Sequence, residues 1–316
     1  MNPVMRDVFG AFEAVADRPT SINIDRTGVA LPQGQHFQGI QRIYIPPVGG
    51  KTAEQRLIVI SSSSNDDAYF VPCSMAEDWL SGKANAPKIL ATVNDTPAFN
   101  HAGGCQAFGS ILAMGLEDLD NEKYSQVRFW DFGVNKPIPE MTIDRPGNGK
   151  TFTAGAIGMT SYAGGSLVAV GSFSSQTIDF YATEFSPRGG RALKFMFTWV
   201  ADDANKSAWV DENFANYQNL NLITQADGQV FMVAFDRSGS SDWMDLYSVN
   251  LNAADPTLAL RKMAKKHMYC SNGCRFDAGS GIFIASEYEF DVYAVAEHSG
   301  DYKTGTTINV NYFSGV

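Results

Sequence analysis

The sequence contains little cysteine, few basic residues and no long apolar segment. Its four cysteines in 316 residues are too few for a disulfide-stabilised scaffold. It has 24 basic against 34 acidic residues and a formal net charge of −10. No nucleic acid and no anionic membrane is expected as a partner, because both bind concentrated positive charge. No segment approaches the roughly 20 consecutive apolar residues that cross a bilayer, so a soluble protein is expected.

The first fifteen residues also lack the features of a secretory leader. They contain Arg6, Asp7 and Glu13 and no continuous apolar segment. Together with the low cysteine content, this predicts a cytoplasmic protein. A secreted protein whose leader had already been removed would show the same features.

A six-residue pattern occurs five times along the chain. The three clearer copies, at 36–41, 101–106 and 270–275, have glycine in the fourth position and an apolar residue or cysteine in the fifth. Two fainter copies, at 153–158 and 216–221, keep the apolar fifth position. The five first positions are His36, His101, Thr153, Asn216 and Cys270. The copies are roughly 50 to 65 residues apart and so divide the chain into five units.

Three further strand patterns follow each copy. The first is an apolar run, at 57–60, 111–114, 167–170, 230–233 and 282–285, which is typical of a strand buried on both faces. The second is Asp-x-Tyr, at 67–69, 179–181, 245–247 and 291–293, with Arg128-Phe129-Trp130 as its variant in the second unit. Fourth strands are predicted at 88–93, 141–143, 194–198, 258–260 and 307–310. Near the N-terminus, 12–15 and 21–24 are further candidate strands.

Four strands in each of five units resemble a five-bladed β-propeller, in which each blade buries its faces against its neighbours. The resemblance is to an architecture, and it implies an all-β chain with four-stranded antiparallel blades. One domain is then expected over residues 1–316, with blades at roughly 36–93, 101–143, 153–198, 216–260 and 270–313. Residues 1–35 are a candidate for completing the ring as the outer strand of the last unit.

The propeller order also predicts where chemistry would occur. The connection that enters each inner strand and the hairpin between the second and third strands lie on the same face of the disc. His36 and His101 should therefore lie one blade apart at the mouth of a central funnel, where they could share a ligand or a divalent metal ion. Glu117 and Glu287 are candidate catalytic or metal-binding groups in the hairpins. The predicted ligand-binding residues are Gln41, Gln106, Asn221, Cys270 and Arg275.

Structural explanations compete with these functional ones. The two histidines would serve equally well as hydrogen-bonding groups at the start of a blade. The regularity of Asp-x-Tyr favours a role in bonding loops over a role in catalysis. Cys270 and Cys274 are close enough in sequence for a disulfide, although their spacing does not match a zinc knuckle.

The five residues at the first position of the six-residue pattern differ from one another, which predicts one asymmetric site and not five equivalent ones. The predicted function is therefore that of an enzyme with a single central site. It would act on a small polar or sugar-like molecule, as a metal-assisted or His/Glu acid–base hydrolase, lyase or isomerase. One alternative is a lectin-like propeller that binds carbohydrate without catalysis. Another is a scaffold that binds proteins. The sequence does not predict an oligomeric state.

Overall fold

The N-terminal residues form a helix and a strand. The computed structural model describes residues 3–45, 47, 54–76, 78–80, 86–96, 99–118, 124–147, 149–185 and 191–315. Helix α1 (Val8–Ala14) comes first and strand β1 (Thr20–Asp25) follows. No helix in these ranges is both long enough and apolar enough to cross a membrane.

The strands form five antiparallel blades, of which the first and fifth are joined at their outer edges into one nine-stranded sheet. Within each blade the strands are named from the inner to the outer edge. The first blade has β2 (His36–Ile45), β3 (Gln55–Ser63), β4 (Ala68–Ser74) and the outer segments β5 (Lys88–Ile89) and β6 (Val93–Thr96). The second has β7 (His101–Phe108), β8 (Ile111–Glu117), β9 (Tyr124–Asp131) and the outer segments β10 (Lys136–Pro137) and β11 (Ile143–Pro146). The third has β12 (Ala156–Tyr162), β13 (Gly165–Gly171), β14 (Thr177–Phe185) and β15 (Arg191–Val200).

The fourth blade has β16 (Asn219–Thr224), β17 (Val230–Ser238), β18 (Ser241–Val249) and β19 (Leu260–Met268). The fifth has β20 (Cys274–Ile284), β21 (Phe290–Ala296) and β22 (Thr307–Phe313), with β1 as its outer strand. Short 3-10 turns lie at Pro139–Met141, Lys150–Phe152, Phe173–Ser175 and Pro256–Leu258. The predicted all-β, five-bladed propeller with four-stranded blades is confirmed.

The two ends of the chain meet in the fifth blade. β1 pairs antiparallel with β22, from Thr20 opposite Tyr312 to Asp25 opposite Thr307. Asp25 also forms a single parallel bridge to Lys88, which connects the outer edges of the first and fifth blades. The ring is therefore closed by backbone hydrogen bonds between segments far apart in sequence.

The strand predicted at 12–15 was wrong, because this segment belongs to α1 and the residue that ends it. Val8, Ala11, Phe12 and Val15 are buried and recur at helical spacing. Together with Met5 they pack into the core between the fourth and fifth blades, against residues such as Ile223 and Phe290. A short amphipathic helix thus covers the apolar ends of strands on one face.

The strand assignment within the fifth blade was also wrong. The apolar run 282–285 was predicted as a second strand, but it lies at the end of the long inner strand β20. Asp291 and Tyr293 consequently lie in the second strand, and 307–310 lies in the third. The cause is a register irregularity between Cys274 and Gly279, which lengthens β20 without a turn.

The Asp-x-Tyr motif is structural in three blades, where its aspartate pairs with a buried or half-buried cation. The pairs are Asp179 with Arg145, Asp245 with Lys262 and Asp291 with Arg42, at N–O distances of 2.5, 3.0 and 3.5 Å. The hydroxyl of Tyr181 also accepts a hydrogen bond from Arg145, and that of Tyr293 accepts one from Arg42. These aspartates therefore neutralise cations inside the blades, and two of them also bond the predicted loops, since Asp245 accepts from Tyr217 and Asp291 accepts from the amide of Gly315.

Candidate functional site

The inner strands β2 and β7 begin on the same face of the disc, which we call the funnel face. His36 begins β2, His101 begins β7, and Glu117 ends β8 opposite His101 in the antiparallel register. His101 is close enough to His36 for its charge to contribute to lowering the pKa of His36. The structure therefore brings these three predicted residues to one site.

His101 and Glu117 form a cross-strand pair. The Nδ1 atom of His101 lies 3.3 Å from Oε2 of Glu117, and their side chains are 13% and 4% exposed. At this separation Nδ1 of His101 makes no hydrogen bond to any described residue. The other carboxylate oxygen of Glu117, Oε1, is buried and has no hydrogen-bond partner among the described residues. A buried carboxylate oxygen without a partner is costly unless a ligand or water completes it.

Asn219 is a second incompletely bonded residue beside this pair, and the sequence analysis missed it. It is fully buried, and neither its amide nitrogen nor its oxygen has a partner among the described residues. The pattern had selected Asn216, but the inner strand begins three residues later. The alternation Asn219-Leu220-Asn221 could have identified it, because alternating polar and apolar residues indicate a strand and not a loop.

Two glycine residues lie between the side chains of Asn219 and Glu117. The amide of Gly104 donates to the carbonyl of Gly155 at 2.7 Å. A Cβ atom on Gly104 would lie 2.8 Å from Oδ1 of Asn219, and one on Gly155 would lie 3.5 Å from Oε1 of Glu117. The two unpartnered side chains thus border two hydrogen-bonded glycines, Gly104 in β7 and Gly155 just before β12, which we call the glycine floor.

His36 belongs to a neighbouring cluster whose hydrogen bonds are already made. Its Nε2 lies 3.0 Å from Oε1 of Glu297, and its Nδ1 is 2.7 Å from the amide nitrogen of Gln38. Because an amide nitrogen donates, Nδ1 accepts and the ring proton lies on Nε2, facing Glu297. Arg275 also pairs with Glu297. Burial lowers the pKa of His36, as do the charges of His101, His298 and Arg275, while Glu297 opposes the shift.

Glu297 was missed because the fifth blade is shifted by one strand. Glu287, which had been assigned to the funnel, lies in the hairpin between β20 and β21 on the opposite face. It forms an ion pair of 2.6 Å with Arg6, just before α1. Its predicted place in the site was therefore wrong, and Glu297 follows β21 at the position that the prediction required.

Gln41, Gln106 and Asn221 are fully enclosed on the axis and join the inner strands to one another. Gln106 accepts from the backbone amides of Met159 at 2.6 Å and Leu222 at 2.7 Å and donates to the Leu222 carbonyl. Gln41 donates to Asn221, whose oxygen also accepts from Ile282. The prediction that these three side chains line a ligand site is contradicted by the hydrogen bonds that already use their amide groups.

Cys270 is half-buried on the funnel face. Burial raises the pKa of its thiol, as does its neighbour Asp242, to which it is hydrogen-bonded. Cys270 and Cys274 are both free thiols, so they are not bridged in this structure. A thiol with a raised pKa is a poor nucleophile, and nothing in this geometry supports a reactive role for Cys270.

The metal role of His36 and His101 stays a prediction. Within the described ranges, no three histidine, cysteine, aspartate or glutamate side chains are placed to hold a metal ion together. Both nitrogens of His36 are hydrogen-bonded to protein side chains, and His101 faces Glu117. The geometry favours proton transfer by His101 over coordination of a metal by the pair.

Negative charge predominates around the funnel face. Among the described residues, the carboxylates there include Glu117, Asp236, Asp242, Asp277 and Glu297, and the guanidinium groups include Arg237 and Arg275. Burial raises the pKa of Asp242, and burial together with the charge of Asp245 raises that of Asp236. Arg275 is held between Asp277, at 3.1 Å, and Glu297. The site is therefore poorly suited to an anionic ligand.

Similar folds occur among solved structures. The beta-fructofuranosidase of Schwanniomyces occidentalis, complexed with fructosyl-erythritol, matches with a TM-score of 0.51 at 8% identity over 93% of this chain and 58% of that chain. A hypothetical protein from Leishmania major matches with a TM-score of 0.50 at 10% identity over 93% of this chain and 89% of that one. The GH32 beta-fructofuranosidase of Bombyx mori has a TM-score of 0.47 at 10% identity, over 94% of this chain and 63% of that one.

No protein-family model and no curated protein matches the sequence. This chain spans less than two thirds of the length of either fructofuranosidase. At identities of 8 to 10% these likenesses concern the fold alone. What the chain shares with the fructofuranosidase of Schwanniomyces occidentalis is thus its architecture, a β-propeller of five blades.

Proposed function

We propose that the funnel face binds a small, hydroxyl-rich, sugar-like molecule and acts on it by acid–base chemistry. One observation carries the proposal: Oε1 of Glu117 and both amide atoms of Asn219 are buried without a partner beside the same glycine floor. Leaving such a group unbonded costs about 1–3 kcal/mol. All three atoms are enclosed in this structure, so a molecule with several hydroxyl groups supplies donors and acceptors for them once the funnel floor opens to admit it.

His101 supplies the proton transfer. Glu117 faces Nδ1 and favours the tautomer that carries the proton there, so Nε2 is left with a lone pair. Nε2 can then take a proton from a water molecule or a substrate hydroxyl and return it to a leaving oxygen. The distance of 3.3 Å between Nδ1 and Oε2 is longer than a good hydrogen bond, and such bonds commonly shorten when substrate binds.

Two further observations support an uncharged sugar. Among the described residues of the funnel face, carboxylates outnumber guanidinium groups, which disfavours uronic acids and sugar phosphates. A structure of similar fold was solved with fructosyl-erythritol, which makes neutral saccharides the first class to test. The two arginines of the funnel face are each within reach of a carboxylate, since Arg237 lies 3.8 Å from Asp242.

Binding and turnover test the proposal separately. Binding would be followed by ligand-observed NMR with galactose, arabinose, fructose and their disaccharides, and turnover with 4-nitrophenyl glycosides. We expect His101→Ala and Glu117→Gln to lower turnover by about a hundredfold or more. The matched control is His267→Gln, since His267 lies on the outer strand β19 of the fourth blade.

The outcomes separate the alternatives. Turnover that is unchanged in both site variants would overturn the catalytic assignment. Saccharide binding without turnover in the wild type would favour a lectin-like propeller, and no binding at all would favour a protein scaffold. Activity that is lost on treatment with EDTA and restored by a divalent cation would support the metal role predicted for His36 and His101.

A further inference from the structure

A third histidine lies at the rim of the funnel and takes no part in the proposed proton transfer. His298 comes directly after Glu297, beyond the end of β21, and we call these two residues the rim pair. Their side chains are 56% and 30% exposed, and Nε2 of His298 lies 3.9 Å from Oε1 of Glu297, too far for a hydrogen bond. Resting on the function proposed above, we propose that these two atoms bind two neighbouring hydroxyl groups of the saccharide and so select sugars that carry a vicinal diol.

The ring of His298 is an acceptor at Nε2. Its Nδ1 atom lies 2.7 Å from the backbone carbonyl oxygen of Gln35. Because a carbonyl oxygen only accepts, Nδ1 carries the proton, and Nε2 of the neutral ring keeps its lone pair. No described residue donates a hydrogen bond to this nitrogen. Nε2 is therefore open to a donor from a ligand.

Glu297 presents a second acceptor beside it. Oε1 accepts one hydrogen bond, from Nε2 of His36 at 3.0 Å, and a carboxylate oxygen can accept another. Oε2 is paired with Arg275. The backbone carbonyl of Glu297 accepts from the amide of Phe37 at 2.9 Å. Contacts at both ends of the residue thus fix the direction of the remaining lone pair on Oε1.

His298 is held in place as well. Gln35, whose carbonyl accepts from the ring, is 4% exposed, and its side chain donates to the carbonyl of Gly300 at 3.2 Å. The ring also lies against that of His36, with the two centroids 5.5 Å apart. The rim pair is therefore arranged before a ligand arrives, which lowers the entropy lost on binding.

The ligand chemistry follows from the spacing of the two acceptors. Acceptors that face each other without a donor between them repel, because both atoms carry negative charge. A single hydroxyl has one proton and can satisfy only one of them. Neighbouring hydroxyls on a sugar ring have two protons, so each can donate to one acceptor. The bond to the carboxylate is the stronger of the two, because that acceptor is charged.

The rim pair also lies near the proposed catalytic histidine. His36, which donates to Glu297, is close enough to His101 for the charge of His101 to act on it. A sugar held by the rim pair is therefore close to the residue that transfers the proton. Both acceptors of the rim pair belong to partly exposed side chains, so a sugar can reach them from solvent.

Deoxy sugars test this diol site. The probes are methyl galactoside, methyl arabinoside and methyl fructoside, each with its monodeoxy derivatives, titrated by calorimetry at about pH 7, where a histidine with an ordinary pKa is mostly neutral. In the wild type we expect loss of either of two adjacent hydroxyls to lower the affinity by about tenfold. Loss of any other hydroxyl should change it by less than about twofold.

Two variants assign the hydroxyls to the rim pair. His298→Asn keeps a donor near the Gln35 carbonyl but removes the acceptor at Nε2. We expect it to bind the parent sugar about tenfold more weakly and to be insensitive to loss of one of the two hydroxyls. Glu297→Gln should also bind about tenfold more weakly, because its acceptor is uncharged. Melting temperatures check that both variants are folded.

Glu287→Gln is the matched control, since it removes a carboxylate that pairs with an arginine on the opposite face. It should leave the affinity for every probe unchanged. Sugar binding that is the same in the wild type, His298→Asn and Glu297→Gln, or sensitive hydroxyls that are not adjacent, would overturn this inference and leave the proposed function intact. Failure of all three parent sugars to bind would overturn both.

Discussion

Lys262 and Asp245 form an ion pair inside the fourth blade, where Nζ and Oδ2 are 3.0 Å apart and the side chains are 0% and 1% exposed. Lys262 also reaches Asp211 at 2.9 Å, in the long segment between β15 and β16. Tyr217, from the same segment, donates to the Asp245 carboxylate. This cluster attaches the segment to the blade. Burial is the main cause that raises the pKa of Asp245, whereas the charge of Lys262 lowers it.

We predict that Lys262→Met lowers the free energy of unfolding by about 3–5 kcal/mol, because it leaves the Asp245 carboxylate buried without its cation. Urea denaturation followed by tryptophan fluorescence measures this loss. Lys265→Met is the matched control, since Lys265 is partly exposed and lies 3.9 Å from Asp211. Its change should be below about 1 kcal/mol. Equal losses in the two variants would contradict the assignment.

The residues on the axis give a second prediction. Gln106→Leu would leave the buried amides of Met159 and Leu222 without an acceptor, at about 1–3 kcal/mol each. We expect a lower free energy of unfolding and, at temperatures where the variant stays folded, unchanged saccharide affinity. Gln229→Leu, in an exposed turn, serves as the control. A selective loss of saccharide binding by folded Gln106→Leu would show instead that Gln106 binds ligand.

The third prediction concerns the pH dependence of stability. Because the pKa of His36 is lowered in the folded protein, the unfolded chain takes up a proton near pH 6.5 while the folded chain does not. Stability is therefore retained above pH 6.5 and lost as the pH falls from 6.5 towards the lowered pKa. We expect the melting temperature of the wild type to fall more between pH 7.5 and 5.5 than that of His36→Gln.

Buried aspartates respond in the opposite direction. Burial raises the pKa values of Asp236, Asp242 and Asp291, so their contribution is present at acid pH and lost as the pH rises through the raised values. The aspartates make the same contribution in the wild type and in His36→Gln, so it cancels when the melting temperatures of the two proteins are compared. Parallel curves for the wild type and His36→Gln would contradict the prediction for His36.

Much of the fold could be predicted because strand periodicity is local. The apolar runs and the recurring six-residue pattern located the blades, since the side chains of a strand alternate between its two faces. The fifth blade was misassigned because the irregularity beside Gly279 is compatible with a turn when only the sequence is considered. The segment at 12–15 was misassigned because its few apolar residues fit a strand as well as a helix.

The site could be predicted only in part. His36, His101 and Glu117 were found because they flank strands whose order the repeat defines. Asn219 was missed because its strand was predicted to begin three residues too early, and Glu297 was missed because the fifth blade was misassigned by one strand. Shifts of this size decide whether a side chain reaches the funnel. Glu287 shows the same effect in reverse, since one misassigned strand moves it to the opposite face.

The sequence by itself determined the number of blades, the order of most strands and the polar residues that begin the first two blades. Only the tertiary structure decided which polar groups are left without partners. Gln41 and Asn219 are both buried amides near the axis, yet Gln41 is fully bonded and Asn219 is not. Hydrogen bonds between blades join residues as far apart as Gln106 and Leu222. Such long-range pairing depends on how the ring closes, and no local pattern of residues specifies it.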